Sequence, residues 1–60
     1  MNKYGVVRTV NYSSGKVEIQ LDNGEWIEIV CNPAEVQDVK ADDIVSTQIY
    51  NGKMCFTVEE

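Results

Sequence analysis

Val17, Ile19 and Leu21 alternate with Lys16, Glu18 and Gln20, and Ile27 and Ile29 alternate with Trp26 and Glu28. A period of two is the mark of a half-buried β-strand. Turn-forming clusters recur at short intervals, at Ser13-Ser14-Gly15, Asp22-Asn23-Gly24, Asn32-Pro33, Ala41-Asp42-Asp43 and Asn51-Gly52. The β-branched runs between them predict five strands: Tyr4 to Val10, Lys16 to Leu21, Glu25 to Cys31, Ile44 to Tyr50 and Lys53 to Val58. A helical turn or two is predicted over Pro33 to Val39. Asn32 suits its N-cap, Pro33 its first position and Glu35 the capping-box position, and Val36 and Val39 share one face. The expected fold is all-β: a small five-stranded antiparallel barrel, SH3-like or OB-like, with one short helical turn before strand four. Residues 1–60 form a single β-barrel domain in this reading.

The hydrophobic pattern also selects the hairpin registers. A three-residue loop at Asp22-Asn23-Gly24, with Gly24 in the left-handed region, sets Ile19 opposite Ile27 and Val17 opposite Ile29. A two-residue loop would set Ile19 opposite Glu28 and mix the faces, because a one-residue slip flips every side chain. The last hairpin favours a two-residue type I′ turn at Asn51-Gly52. Ile49 then faces Met54, Thr47 faces Phe56 and Val45 faces Val58, with Gln48, Tyr50, Lys53 and Cys55 on the reverse. Strand one is less regular. Tyr4, Val6 and Val10 fall on one side but Arg8 interrupts them, which suggests a bend or bulge near Gly5.

A chain of 60 residues buries only about 60% of its unfolded surface. Nearly all its apolar side chains are needed for the core, and little remains for a deep substrate pocket. The composition, 43% hydrophobic and 25% charged, is that of a folded domain. No apolar run approaches the ~20 residues needed to span a membrane. The segment Met1-Asn2-Lys3-Tyr4-Gly5 lacks the apolar stretch of a signal peptide. A cytoplasmic location is expected, with Cys31 and Cys55 as reduced, mostly buried thiols.

The chain has no His. That removes the usual base for a Ser or Cys nucleophile and leaves too few ligands for a zinc site. The spacing of a calcium loop is absent as well. The expectation is a protein that is not an enzyme and takes no cofactor and no metal. Asp42 and Asp43 are read as acceptors for turn N–H groups.

Five Lys plus Arg stand against ten Asp plus Glu, a net charge of −5. Lys3, Arg8, Lys16, Lys40 and Lys53 are scattered, whereas phosphate binding draws on clustered cations. Nucleic acid is therefore not the expected partner. The charge suits a basic protein surface, and equally suits simple solubility.

With the central hairpin in register, its outer face carries Lys16, Glu18, Gln20, Trp26, Glu28 and Val30. Trp26 points away from Ile27 and Ile29. Glu18 lies opposite Glu28, a like-charge pair that costs about 0.2–1 kcal/mol unless Arg8 or Lys16 relieves it. Tryptophan is a frequent binding anchor. The candidate protein-interaction residues are therefore Trp26, Glu18, Gln20, Glu28 and Val30. The competing reading packs Trp26 under the Tyr12 loop or the N-terminal segment.

Two resemblances follow from the residues. The run from Gly15 through Lys16-Val17-Glu18-Ile19-Gln20-Leu21-Asp22-Asn23-Gly24-Glu25-Trp26-Ile27-Glu28-Ile29, with Pro33 and Val39-Lys40-Ala41-Asp42-Asp43-Ile44-Val45, resembles short bacterial five-stranded β-barrel domains of unknown function. In those, Gly-Asp usually stands where this chain has Ala41-Asp42-Asp43. The resemblance covers about half of the chain and implies a fold but no activity. Gly5, Val7, Asn11, Gly15, Asp43 and Val45 are similar to cold-shock domains of the oligonucleotide-binding fold. That family's aromatic nucleic-acid motifs are missing here, where the matching strands read Lys16-Val17-Glu18-Ile19 and Trp26-Ile27-Glu28-Ile29.

The expected function is a non-enzymatic acidic protein-interaction or regulatory module, binding a protein partner through the Trp26 face. The alternatives are a single-stranded nucleic-acid-binding OB-like protein and a small phage-type inhibitor that imitates nucleic-acid charge. Self-association into a homo-oligomer, through edge strands or the Trp26 face, is a further expectation to test.

Overall fold

A computed structural model describes residues 3–59; Met1 and Asn2 of the N-terminal segment, and Glu60, lie outside the described residues. The strands are β1 (Lys3–Asn11), β2 (Lys16–Leu21), β3 (Trp26–Val30), β4 (Ile44–Tyr50) and β5 (Lys53–Val58). They form one antiparallel sheet in the order β3-β2-β1-β4-β5. Three consecutive strands followed by a fourth beside the first make a Greek key, and β5 extends it by a hairpin. The result is a small, all-β, barrel-like fold. Among the described residues no helix is long and apolar enough to cross a membrane.

Both hairpin registers follow from their turns. Lys16 pairs with Val30, Val17 with Ile29 and Ile19 with Ile27, and Gly24 takes a φ of 91°. Asn23 Oδ1 accepts the Glu25 N–H at 2.9 Å, which holds the loop tight. In the last hairpin Val45 pairs with Val58, Thr47 with Phe56 and Ile49 with Met54. Asn51 and Gly52 have φ of 51° and 77°, as a type I′ turn requires.

β1 departs from the sequence expectation. Its irregularity lies not at Gly5 but at Arg8, where the pairing with β2 shifts between Val7 and Thr9. One extra residue in the bulge turns Val10 onto the same inner side as Val7. Val7 packs opposite Ile19 and Val10 opposite Val17. Gly5 has a different duty. A Cβ there would stand 2.8 Å from both the Gln20 carbonyl oxygen and the Ile19 Cγ2, so its missing side chain lets β1 lie close on β2.

The core consists of Val7, Val17, Ile19, Leu21, Ile29, Val36, Val39 and Val45. Val10, Ile27, Cys31, Phe56 and Val58 pack against it, partly buried. Each fully buried aliphatic of this size contributes about 1.5–3 kcal/mol. Thr47 is the one buried polar side chain among the described residues. Its hydroxyl donates to the Lys3 carbonyl oxygen at 3.0 Å, which offsets its desolvation.

The predicted helical segment is shorter than expected. It is a single 3-10 turn, Pro33–Glu35, capped by Asn32, whose side chain accepts from the Ala34 N–H at 3.0 Å. Val36 and Val39 still both face the core. Tyr12 fastens this segment to the body, donating its hydroxyl proton to the Val39 carbonyl at 2.6 Å. β3 is likewise shorter than the span Glu25 to Cys31 by one residue at each end.

Candidate functional site: the outer face around Trp26

The short loop and clean register of β2 and β3 send one side of the hairpin inward and the other out. Trp26, Glu28 and Val30 project outward from β3, opposite Gln20, Glu18 and Lys16 of β2. The Trp26 side chain is 58% exposed and Val30 68%. Glu28 is exposed, while Glu18 and Gln20 are half-buried. All five sequence-predicted site residues therefore share one surface. Tyr12, the proposed cover for Trp26, bonds to Val39 instead.

The like-charge pair is compensated from two sides. Lys16 Nζ lies 3.2 Å from Glu28 Oε2. The Thr9 hydroxyl donates to Glu18 Oε1 at 2.6 Å. Arg8 serves neither carboxylate of the pair: its Nε donates to Gln20 Oε1 at 3.1 Å, and its Nη1 stands 3.7 Å from Asp42 Oδ1. Of the two aspartates read as turn acceptors, Asp43 takes the Lys40 N–H at 2.9 Å. Asp42 sits at a φ of 75° with its carboxylate toward Arg8.

The surface is wider than the sequence indicates. Trp26 pairs with Gln20, Gln20 with Val6 and Val6 with Ile44, a cross-strand row over four strands. Tyr4 and Ile44, about half exposed, join Arg8 and Gln20 around a shallow groove of about 420 Å³. The contribution of β1 and β4 was missed because β1 has no readable period across Arg8. Once the extra residue is placed at Arg8, Tyr4 and Val6 fall on the Trp26 side.

Cys31 and Cys55 are free thiols, half-buried rather than mostly buried. Burial pushes the Cys31 thiol up from its ordinary value, and the Glu35 carboxylate and the Cys55 thiol add to the rise. Such a thiol is a poor nucleophile near neutral pH. Among the described residues no group of three or more His, Cys, Asp or Glu side chains assembles that could hold a metal ion. What the face offers is contact: an indole and aliphatics within a polar rim of Glu18, Gln20 and Glu28, with Lys16 and Arg8 beside them.

No family model, curated protein or solved structure matches this chain at a significant level.

Proposed function

We propose that this domain is a non-enzymatic protein-interaction module that docks a basic partner surface on the outer face of β2 and β3. Trp26 is the anchor and Val30 the second apolar contact. Glu18, Gln20 and Glu28 form the polar rim that selects a cationic partner. The observation that carries this reading is the 58% exposure of the indole on a strand it shares with an outward carboxylate, Glu28. Large exposed aromatics with polar rims are typical of contact surfaces. In a reducing cytoplasm Cys31 and Cys55 stay as thiols. The test is affinity capture from the native host with the wild-type chain and Trp26→Ala as baits. A protein retained by the first and lost by the second, at unchanged thermal midpoint, is expected. The same proteins on both baits would contradict the assignment.

The Greek-key order favours an OB-like over an SH3-like description of the barrel. The second reading is then a single-stranded nucleic-acid binder, since OB-folds use the face of strands two and three. The carboxylates of Glu18 and Glu28 on that face oppose a phosphate backbone. An oligonucleotide titration at low salt separates the two readings, because electrostatic binding is strongest there.

A further inference from the structure

β3 and β5 are the two edges of the sheet, and they border a common seam. Ile29, Val30 and Cys31 line one bank of a groove of about 480 Å³, and Met54, Phe56 and Val58 line the other. The groove continues past Ile27 and Ile49 into a smaller recess of about 170 Å³ at the opposite end. Along this seam each strand presents an unpaired ladder edge, which invites addition of another strand. Ile49, at 71% exposure, and Met54, at 39%, form an uncovered apolar pair at one mouth.

The directions of the strands are decisive. β1 is antiparallel to both β2 and β4, so β3 and β5 both run parallel to β1 and to each other. A segment inserted between them in the opposite direction is antiparallel to each. It gains two antiparallel ladders, which are more stable per residue than the parallel pairing open to β3 and β5 alone. Its alternate side chains point in toward Ile29, Phe56 and Val58, and the others point out beside Glu28 and Trp26.

Charge fixes the chemistry of the occupant. The charged residues that line the groove are Lys53, at the start of β5, and Glu35. Where β5 ends, Glu35 is joined by Asp38, Asp43 and Glu59, with Lys40 as their companion cation, around Val39 and Val58. A strand antiparallel to β3 begins at that end. We infer that the seam binds an extended protein segment with lysine or arginine at its N-terminal end and alternating aliphatic residues after it, added as a sixth strand between β3 and β5. This rests on the reading of the domain as a binder of basic protein partners, and it assigns the partner's shape, direction and polarity.

The test uses the full chain, labelled for amide NMR. The probe is a blocked peptide of about seven residues, with lysines first and valines alternating thereafter. Slowed hydrogen exchange at β3 and β5 amides is expected. A peptide N-methylated at consecutive central positions, so that the N–H groups toward both β3 and β5 are blocked, should lose the effect. A peptide of reversed residue order should bind about tenfold more weakly at low salt, as should the unreversed peptide to the Glu35→Gln/Glu59→Gln variant. Edge protection that persists in Trp26→Ala would support the seam while removing Trp26 as anchor. Shifts confined to Trp26 and its outer-face neighbours, with the edge amides unprotected, would overturn the seam and leave the Trp26 reading standing. Absence of any response, or equal binding of the reversed peptide, also overturns it.

Discussion

Glu18 and Glu28 face one another directly across β2 and β3, and each carboxylate is satisfied by a different neighbour. Thr9, brought beside Glu18 by the bulge in β1, donates a hydrogen bond. Lys16 reaches Glu28 from the next position on the same face of β2. Both charged partners of that ion pair are about half exposed, so its worth is small. Replacing Lys16 with Gln should cost about 0.2–1 kcal/mol in urea denaturation at low salt. Adding Glu28→Gln should recover part of that loss, because the repulsion with Glu18 disappears too. A larger loss in the double variant than in the single one would show that the carboxylate opposition is not what Lys16 relieves.

Gly15 is held by backbone on two sides. Its N–H donates to the Asn11 carbonyl and its own carbonyl accepts from Cys31, both at 2.8 Å. Its φ is 81°, and a Cβ there would run into the Cys31 carbonyl. Gly52 has a similar φ of 77°, but nothing lies within 4 Å of its Cβ position. Gly52→Ala should therefore cost only the left-handed conformation, about 1–2 kcal/mol. Gly15→Ala should cost distinctly more, since backbone must move as well. Chemical denaturation of the two variants side by side measures the difference, and equal losses would refute the close approach.

The thiol of Cys31 gives the stability a pH dependence on the alkaline side. Burial, then Glu35 and Cys55, raise its pKa in the folded chain. The fold thus favours the neutral thiol. That contribution is fully present below the unfolded thiol's pKa, about 8.5, and is lost as pH rises through the folded value. Wild-type chain should lose stability more steeply than Cys31→Ser as pH rises through and above the ordinary thiol range, read from urea midpoints. Parallel curves would contradict it.

Much of this structure was legible in the residues. The alternation of Val17, Ile19 and Leu21 against Ile27 and Ile29 admits only one hairpin register. Asn51-Gly52 likewise gives the other, because its two-residue type I′ turn leaves Val45, Ile49, Met54, Phe56 and Val58 on one face. The outward position of Trp26 followed from that same register. β1 was not legible, because Arg8 breaks its period and a bulge can be placed only against a partner strand. Tyr4, Val6 and Ile44 therefore did not emerge as parts of the outer face that Trp26 shares. The seam was hidden for a related reason: it is made by strands distant in sequence, and only the sheet order makes β3 and β5 the two edges. The helical segment fell short because its packing residues, Val36 and Val39, reach the core from irregular backbone after a single capped turn.

The claim on which the functional reading depends is that the indole of Trp26 stands in solvent within a negative field. As the single tryptophan of the chain, it can be tested by its own fluorescence. Quenching by caesium and by iodide at low ionic strength reads exposure and local charge together. Efficient quenching, with a caesium-to-iodide ratio of quenching constants above that of free N-acetyltryptophanamide and falling toward it as salt is added, is the predicted result. An indole protected from both ions, or one whose caesium-to-iodide ratio lies at or below that of the free indole, would contradict the proposed contact face.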